Sequence, residues 1–136
     1  MTSRELVAPR KLATFSGSIA TATTTNMTSD VNVAVGASTF QPNDRLVLVI
    51  TASTAGTTDS TSFDVQDAPD NAGSIGTPAA AVTTTLPAAA TGNQYVVVGI
   101  RLQPGRPWIR VRMIRAAGTT DTLTVRAVLL AVPHSI

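Results

Sequence analysis

The feature that most constrains this chain is an alternation of apolar and polar residues at a period of two, broken by turn residues about every ten positions. It is clearest towards the C-terminus. From Trp108 to Arg115 (WIRVRMIR), Ile109, Val111 and Met113 fall on one face and Trp108, Arg110 and Arg112 on the other, before Ile114 and Arg115 break the pattern. From Leu123 to Val132, Leu123, Val125, Ala127 and Leu129 share a face. This period belongs to a half-buried strand and not to a helix. Composition closes the helical alternative: the 136 residues include 22 Thr, 20 Ala and 15 Val but one Lys and one Glu. Helix surfaces draw on Lys, Glu, Gln and Arg, whereas β-branched residues suit a pleated surface.

Upstream segments repeat the theme. Ala13 to Thr25 (ATFSGSIATATTT) is predicted as a first strand at a sheet edge. Asp30 to Val35 alternates with three valines on one face, and Gly36 stops it. Gln41 to Asp44 is a turn, and Arg45 to Ala52 (RLVLVITA) is too apolar to face water on either side, which predicts a central strand. Ser62 to Gln66 places Phe63 and Val65 inward with Asp64 and Gln66 outward. Asp67 to Ala81 collects two Pro and two Gly and is predicted as the longest loop, with a short strand from Val82 to Leu86 after it. Gln94 to Leu102 is an apolar strand, Gln103 to Pro107 a turn, and Ala116 to Asp121 a hairpin connection between the last two strands. Seven or eight short strands predict an all-β chain: a single antiparallel β-sandwich or jelly-roll-like domain over residues 13–136. Residues 1–12, polar, mixed in charge and interrupted by Pro9, read as an extended N-terminal arm.

Several functional classes are excluded. With no cysteine, disulfide scaffolds, thiolate zinc sites and thiol catalysis are impossible, and one histidine, His134, gives no His-based metal site. No P-loop, dinucleotide fingerprint or nucleophile elbow occurs, and the only glutamate, Glu5, is in the arm. The chain is expected to be no enzyme and to carry no cofactor. No apolar run reaches the length of a membrane span or of a signal peptide, so neither a membrane partner nor export by that route is expected. A formal charge of +2 is small for a nucleic-acid binder, and stacking aromatics are not interleaved with the arginines.

The scarce charge is not spread evenly. Trp108, Arg110 and Arg112 share one strand face, and Arg126 could lie across the hairpin from it. That set suits an interface meeting carboxylates or phosphates, since Arg and Trp are enriched at binding hot spots; the plainer alternative is a solvated face paired with Asp64 or Asp121. Asp64, Asp67, Asp70 and Asn71 could gather oxygen ligands for calcium, but their spacing is not that of an EF-hand, and turn-forming roles explain them at least as well. The neutral Thr runs at 23–25 and 83–85 suit faces packed against a neighbour, although a biased genome composition would produce them too.

The segments DVNVAV, RLVLVITA, SFDVQDAPDNAG and QYVVVGIRLQPGRPWIRVRMIRAAGTTDTLTVRAVLL together resemble small β-rich virion proteins encoded beside the major capsid gene of tailed bacteriophages. The resemblance covers roughly Val31 to Pro133 and rests on a strand ending in a Gln-Asp turn (Ser62 to Asp70) and an arginine-alternating strand after a Pro-bearing turn (Arg106 to Arg115). It implies a capsid decoration, or cement, protein on the capsid exterior, assembled in the bacterial host cytoplasm. Its partners would be the major capsid protein and itself, as a homotrimer. Contacts would use Arg4, Arg10 and Lys11 of the arm and Trp108, Arg110 and Arg112 of the strand. The alternative is a receptor- or glycan-binding β-module, or another neck or tail component.

Overall fold

The computed structural model describes residues 9–19, 24–34, 45–54, 61–86, 92–101, 103, 105–115 and 123–132. Among the described residues eleven strands follow in chain order: β1 (Arg10–Ile19), β2 (Thr24–Asn26), β3 (Val31–Asn32), β4 (Arg45–Thr54), β5 (Thr61–Ala68), β6 (Asp70–Asn71), β7 (Ser74–Ile75), β8 (Ala79–Leu86), β9 (Gly92–Ile100), β10 (Trp108–Arg115) and β11 (Leu123–Val132). All pairings are antiparallel. One sheet runs β1-β11-β4-β9 and a second β2-β10-β5-β8, with β3 also pairing with β10. The fold is an antiparallel β-sandwich.

The core lies where the two inner faces meet, and the period-two residues fill it. Leu123, Val125, Ala127, Leu129 and Ala131 of β11 and Leu46, Leu48, Ile50 and Ala52 of β4 face Ile109, Val111 and Met113 of β10 and Phe63 and Val65 of β5. Large and small residues share rows: Phe15 lies beside Ala127, which lies beside Ile50. Gly17 marks a close approach of the two sheets: a Cβ there would stand 2.7 Å from the Met113 Cε, the movable end of that side chain.

One side of the sandwich is closed. After β2 the chain crosses to the first sheet, where Ser16 and Thr28 exchange backbone hydrogen bonds of 3.0 Å, while the Met27 N–H donates to the Val111 carbonyl at 2.8 Å. The opposite side carries the edges β8 and β9.

Four expectations need correction. β10 and β11 do not form a hairpin, because they belong to different sheets; two consecutive alternating strands look alike in sequence whether they pair or face each other. Of the predicted Asp30 to Val35 strand, Val31 and Asn32 form β3 and the Val33 N–H still donates to the Pro107 carbonyl at 3.0 Å; the Asn32 Oδ1 then accepts the Ala34 N–H at 2.9 Å, a local bond that ends the strand, and Val35 lies outside the described residues. The predicted loop from Asp67 to Ala81 holds the β6-β7 hairpin, turned by Ala72 and Gly73 with φ of 52° and 87°, as a two-residue turn with positive φ at both positions requires. It also holds the start of β8, three residues before the predicted strand. The arm's last residues, Arg10, Lys11 and Leu12, lie in β1, Arg10 and Lys11 paired with β11 and Leu12 at the register shift.

Candidate functional site: the arginine strand and its acids

The outer face of the second sheet carries the arginine strand. β10 sits between β2 and β3 on one side and β5 on the other, so its outward residues have neighbours on both flanks. One row across the sheet reads Asn26, Arg112, Asp64, Thr83, and the next places Gln66 beside Arg110 and Ala80.

Trp108, Arg110 and Arg112 of β10, and Arg106 of the turn before it, each meet an acid. Arg112 donates through Nη2 to the Asp64 Oδ2 directly opposite, and the Thr83 hydroxyl donates to Oδ1 at 2.9 Å. Arg110 holds Asp30 in a bidentate fork, Nε to Oδ1 at 2.9 Å and Nη2 to Oδ2 at 2.8 Å. The Trp108 Nε1–H donates to Asp70 Oδ1 at 2.9 Å, and Asp70 Oδ2 accepts the Gly73 N–H at 3.2 Å, so the β6-β7 turn positions this acceptor. Arg106 donates through Nε to Asp67 Oδ1 at 2.6 Å and through Nη2 to the Asp67 carbonyl at 2.8 Å and the Thr77 carbonyl at 3.3 Å. Gly76 lets this segment lie close: its N–H donates to the Pro69 carbonyl at 2.8 Å, and a Cβ would meet the same oxygen at 2.8 Å.

The electrostatics follow from these contacts. The Arg112 guanidinium holds the Asp64 carboxyl below its ordinary value; burial works the other way and the Thr83 hydroxyl adds to the lowering. Asp30 raises Arg110 above the ordinary arginine value against partial burial. Among the described residues two buried side-chain atoms find no hydrogen-bond partner, Asp67 Oδ2 and Arg112 Nε. Between the arginines lies an open depression of about 380 Å³ lined by Thr24, Asn26, Gln66, Pro78, Arg110 and Arg112.

The structure therefore brings together Trp108, Arg110 and Arg112, as their spacing requires, and supplies four carboxylates. Arg10 and Lys11 lie on β1 in the other sheet, and Arg4 lies outside the described residues. Arg126 is not across a hairpin from Arg110 and Arg112; β11 carries it on the outer face of the first sheet, where the Thr51 hydroxyl donates to its carbonyl at 3.2 Å. Asp64 and Gln66 point outward as expected yet are buried, because the β10 arginines and β8 cover them. Asp64, Asp67 and Asp70 each take a donor from a different side chain, and among the described residues no group of three His, Cys, Asp or Glu converges as metal ligands would. The role of Asp30 was missed, because eighty residues separate it from Arg110 and no local pattern links them.

The patch sets three arginines against four carboxylates. What it can offer is hydrogen bonding from the remaining guanidinium N–H groups and from the Asn26 and Gln66 amides, not a net positive field. No protein-family model matches the sequence, and no curated protein matches it.

Proposed function

We propose that this chain is a non-enzymatic structural protein of a virion, a capsid decoration protein that binds the outer surface of a bacteriophage head and stabilises it. The observation that carries this reading is an apolar patch on the outer face of the first sheet, the face turned away from the core. Val47, Val49, Val97, Val128 and Leu130 alternate with the core residues, and register sets Val128, Val49 and Val97 side by side on the outer face with Tyr95 nearby. An exposed apolar patch rimmed by polar residues ordinarily marks an interaction surface. Tyr95 is 75% exposed and Val97 56%, a surface suited to being covered in an assembly.

The second sheet supports the same reading differently. Its arginines are already neutralised and oriented, so they can meet backbone carbonyls or carboxylates of a partner without first reorganising. The partners are the major capsid protein and further copies of the chain; the resemblance of the β-strand segments supplies the capsid, and repetition over a symmetric lattice turns modest contacts into shell stability. Heads assembled without this protein should lose resistance to heat and pressure and regain it when purified protein is added back. Equal resistance with and without it would remove the cement role.

The depression between Arg110 and Arg112 favours a second reading, a receptor- or glycan-binding module, because amides and guanidinium groups there suit hydroxyl and carboxylate ligands. No aromatic side chain is among its lining residues, and aromatic walls are what sugar stacking uses. Competable hits on a glycan array would favour it.

A further inference from the structure

We infer that β9 is a self-pairing edge: two copies of the chain join antiparallel along β9, about a two-fold axis through Val97, and merge their first sheets into one eight-stranded sheet. The inference goes beyond decoration and needs no capsid, so it stands or falls on the isolated protein.

Sheet edges are normally protected by charge, proline, bulges or brevity. The other edges here have such devices. β1 carries Arg10 and Lys11 and a register shift between Lys11 and Ala13, and it is partly paired through Ser16 and Thr28. β2 and β3 are three and two residues long. β8 runs along a register shift at Val65/Gln66. β9 has none of them: Gly92–Ile100 contains no charged residue and no proline, and it pairs with β4 over nine positions without a shift. Among the described residues no strand pairs with its other edge.

The occupant that fits is a second copy, because the edge is complementary to itself. A two-fold axis through Val97 sets residue against residue so that Tyr95 of each copy lies opposite Gly99 of the other, Val96 opposite Val98, and Val97 opposite Val97. Tyr95, Val97 and Gly99 are all on the outer face and exposed, and nothing lies within 4 Å of where a Gly99 Cβ would stand. The largest exposed apolar side chain of one copy thus covers the open backbone of the other, a pairing known to compensate strand glycines. No like charges meet within the nine residues. The joint is a single strand pair, smaller than the ~800 Å² per partner of a standard interface, so dimerisation depends on concentration.

The absence of cysteine supplies the test. Val97→Cys introduces the only thiol, and the two-fold sets the two Cα atoms about 4.5 to 5.5 Å apart, within disulfide range. Under mild oxidation V97C should form a covalent dimer, whereas Thr124→Cys, on the same outer face but two strands in from the β9 edge, should not. Sedimentation of the wild type at rising concentration should show monomer and dimer. Val97→Lys opposes two like charges at the axis and should raise the dissociation constant about tenfold or more, with an unchanged circular dichroism spectrum. A wild type that stays monomeric throughout, or a dimer or trimer that V97K leaves intact, overturns the pairing. Either result leaves capsid binding to be read separately from rebinding to heads.

Discussion

Asp64 and Arg112 stand directly opposite one another on β5 and β10, and the carboxylate that accepts from Arg112 also accepts from Thr83 on the far flank. The pair is asymmetric in burial, Asp64 being almost wholly enclosed while a third of the Arg112 side chain stays exposed. Removing the arginine leaves a buried carboxylate with a hydroxyl as its one remaining side-chain donor; removing the aspartate leaves a cation that can turn to water.

Arg112→Ala should therefore destabilise the fold by about 2 kcal/mol, more than Asp64→Ala, and the two losses should not add. A double-mutant cycle by urea denaturation measures this. Additive losses would mean that the contact contributes nothing.

The same pair sets a pH dependence. The folded-state pKa of Asp64 is depressed from the ordinary value of 3.8, so its contribution is fully present above that value and is lost as pH falls through the folded-state pKa. Stability should fall as pH drops from about 4 downward, and Asp64→Asn should flatten that fall while lowering stability at pH 7. Urea midpoints between neutral and acid pH test it; an unchanged slope in D64N would contradict it. The Arg110 shift is upward from an already high value, so Asp30 and Arg110 should stay paired through neutral pH.

Arg106 closes the end of the sandwich over Asp67, which is buried with one carboxylate oxygen unpartnered. Arg106→Met should cost about 3 kcal/mol, because a buried carboxylate loses its ion pair with Arg106. Asp67→Asn in the same background should recover part of that loss by removing the stranded charge, measurable as a rise in melting temperature.

Trp108 is the only tryptophan, so its fluorescence reports the β6-β7 hairpin through the bond to Asp70. Asp70→Ala should shift the emission to the red and cost about 1 kcal/mol or less, since Asp70 is exposed. An unshifted spectrum would mean that the hairpin does not rest on the indole.

Most of the sandwich was legible because period-two patterning is a direct record of burial. Ile109, Val111 and Met113 are inward on β10, and RLVLVITA is an interior strand, as their patterns require. Pairing was less legible: the alternation in β10 and β11 specifies which face is buried but not which neighbour bonds. At the site, the spacing of Trp108, Arg110 and Arg112 placed them together, and Asp64 was foreseen as a partner. Asp30 was not, because six strands, β4 to β9, with members in both main sheets, separate β3 in sequence from the β10 it lies against. The Asp67 to Ala81 segment shows the opposite failure. Its Gly and Pro were read as loop signals, yet they serve a tight hairpin and the close approach of Gly76 to Pro69.

The most direct test of the structural role is the number of copies in purified particles, counted against the major capsid protein by quantitative mass spectrometry. Decoration of the shell requires a number that scales with the capsomers of the whole head. A number that would fill only a single ring at the neck or tail contradicts decoration, and absence from the particle contradicts a virion role altogether.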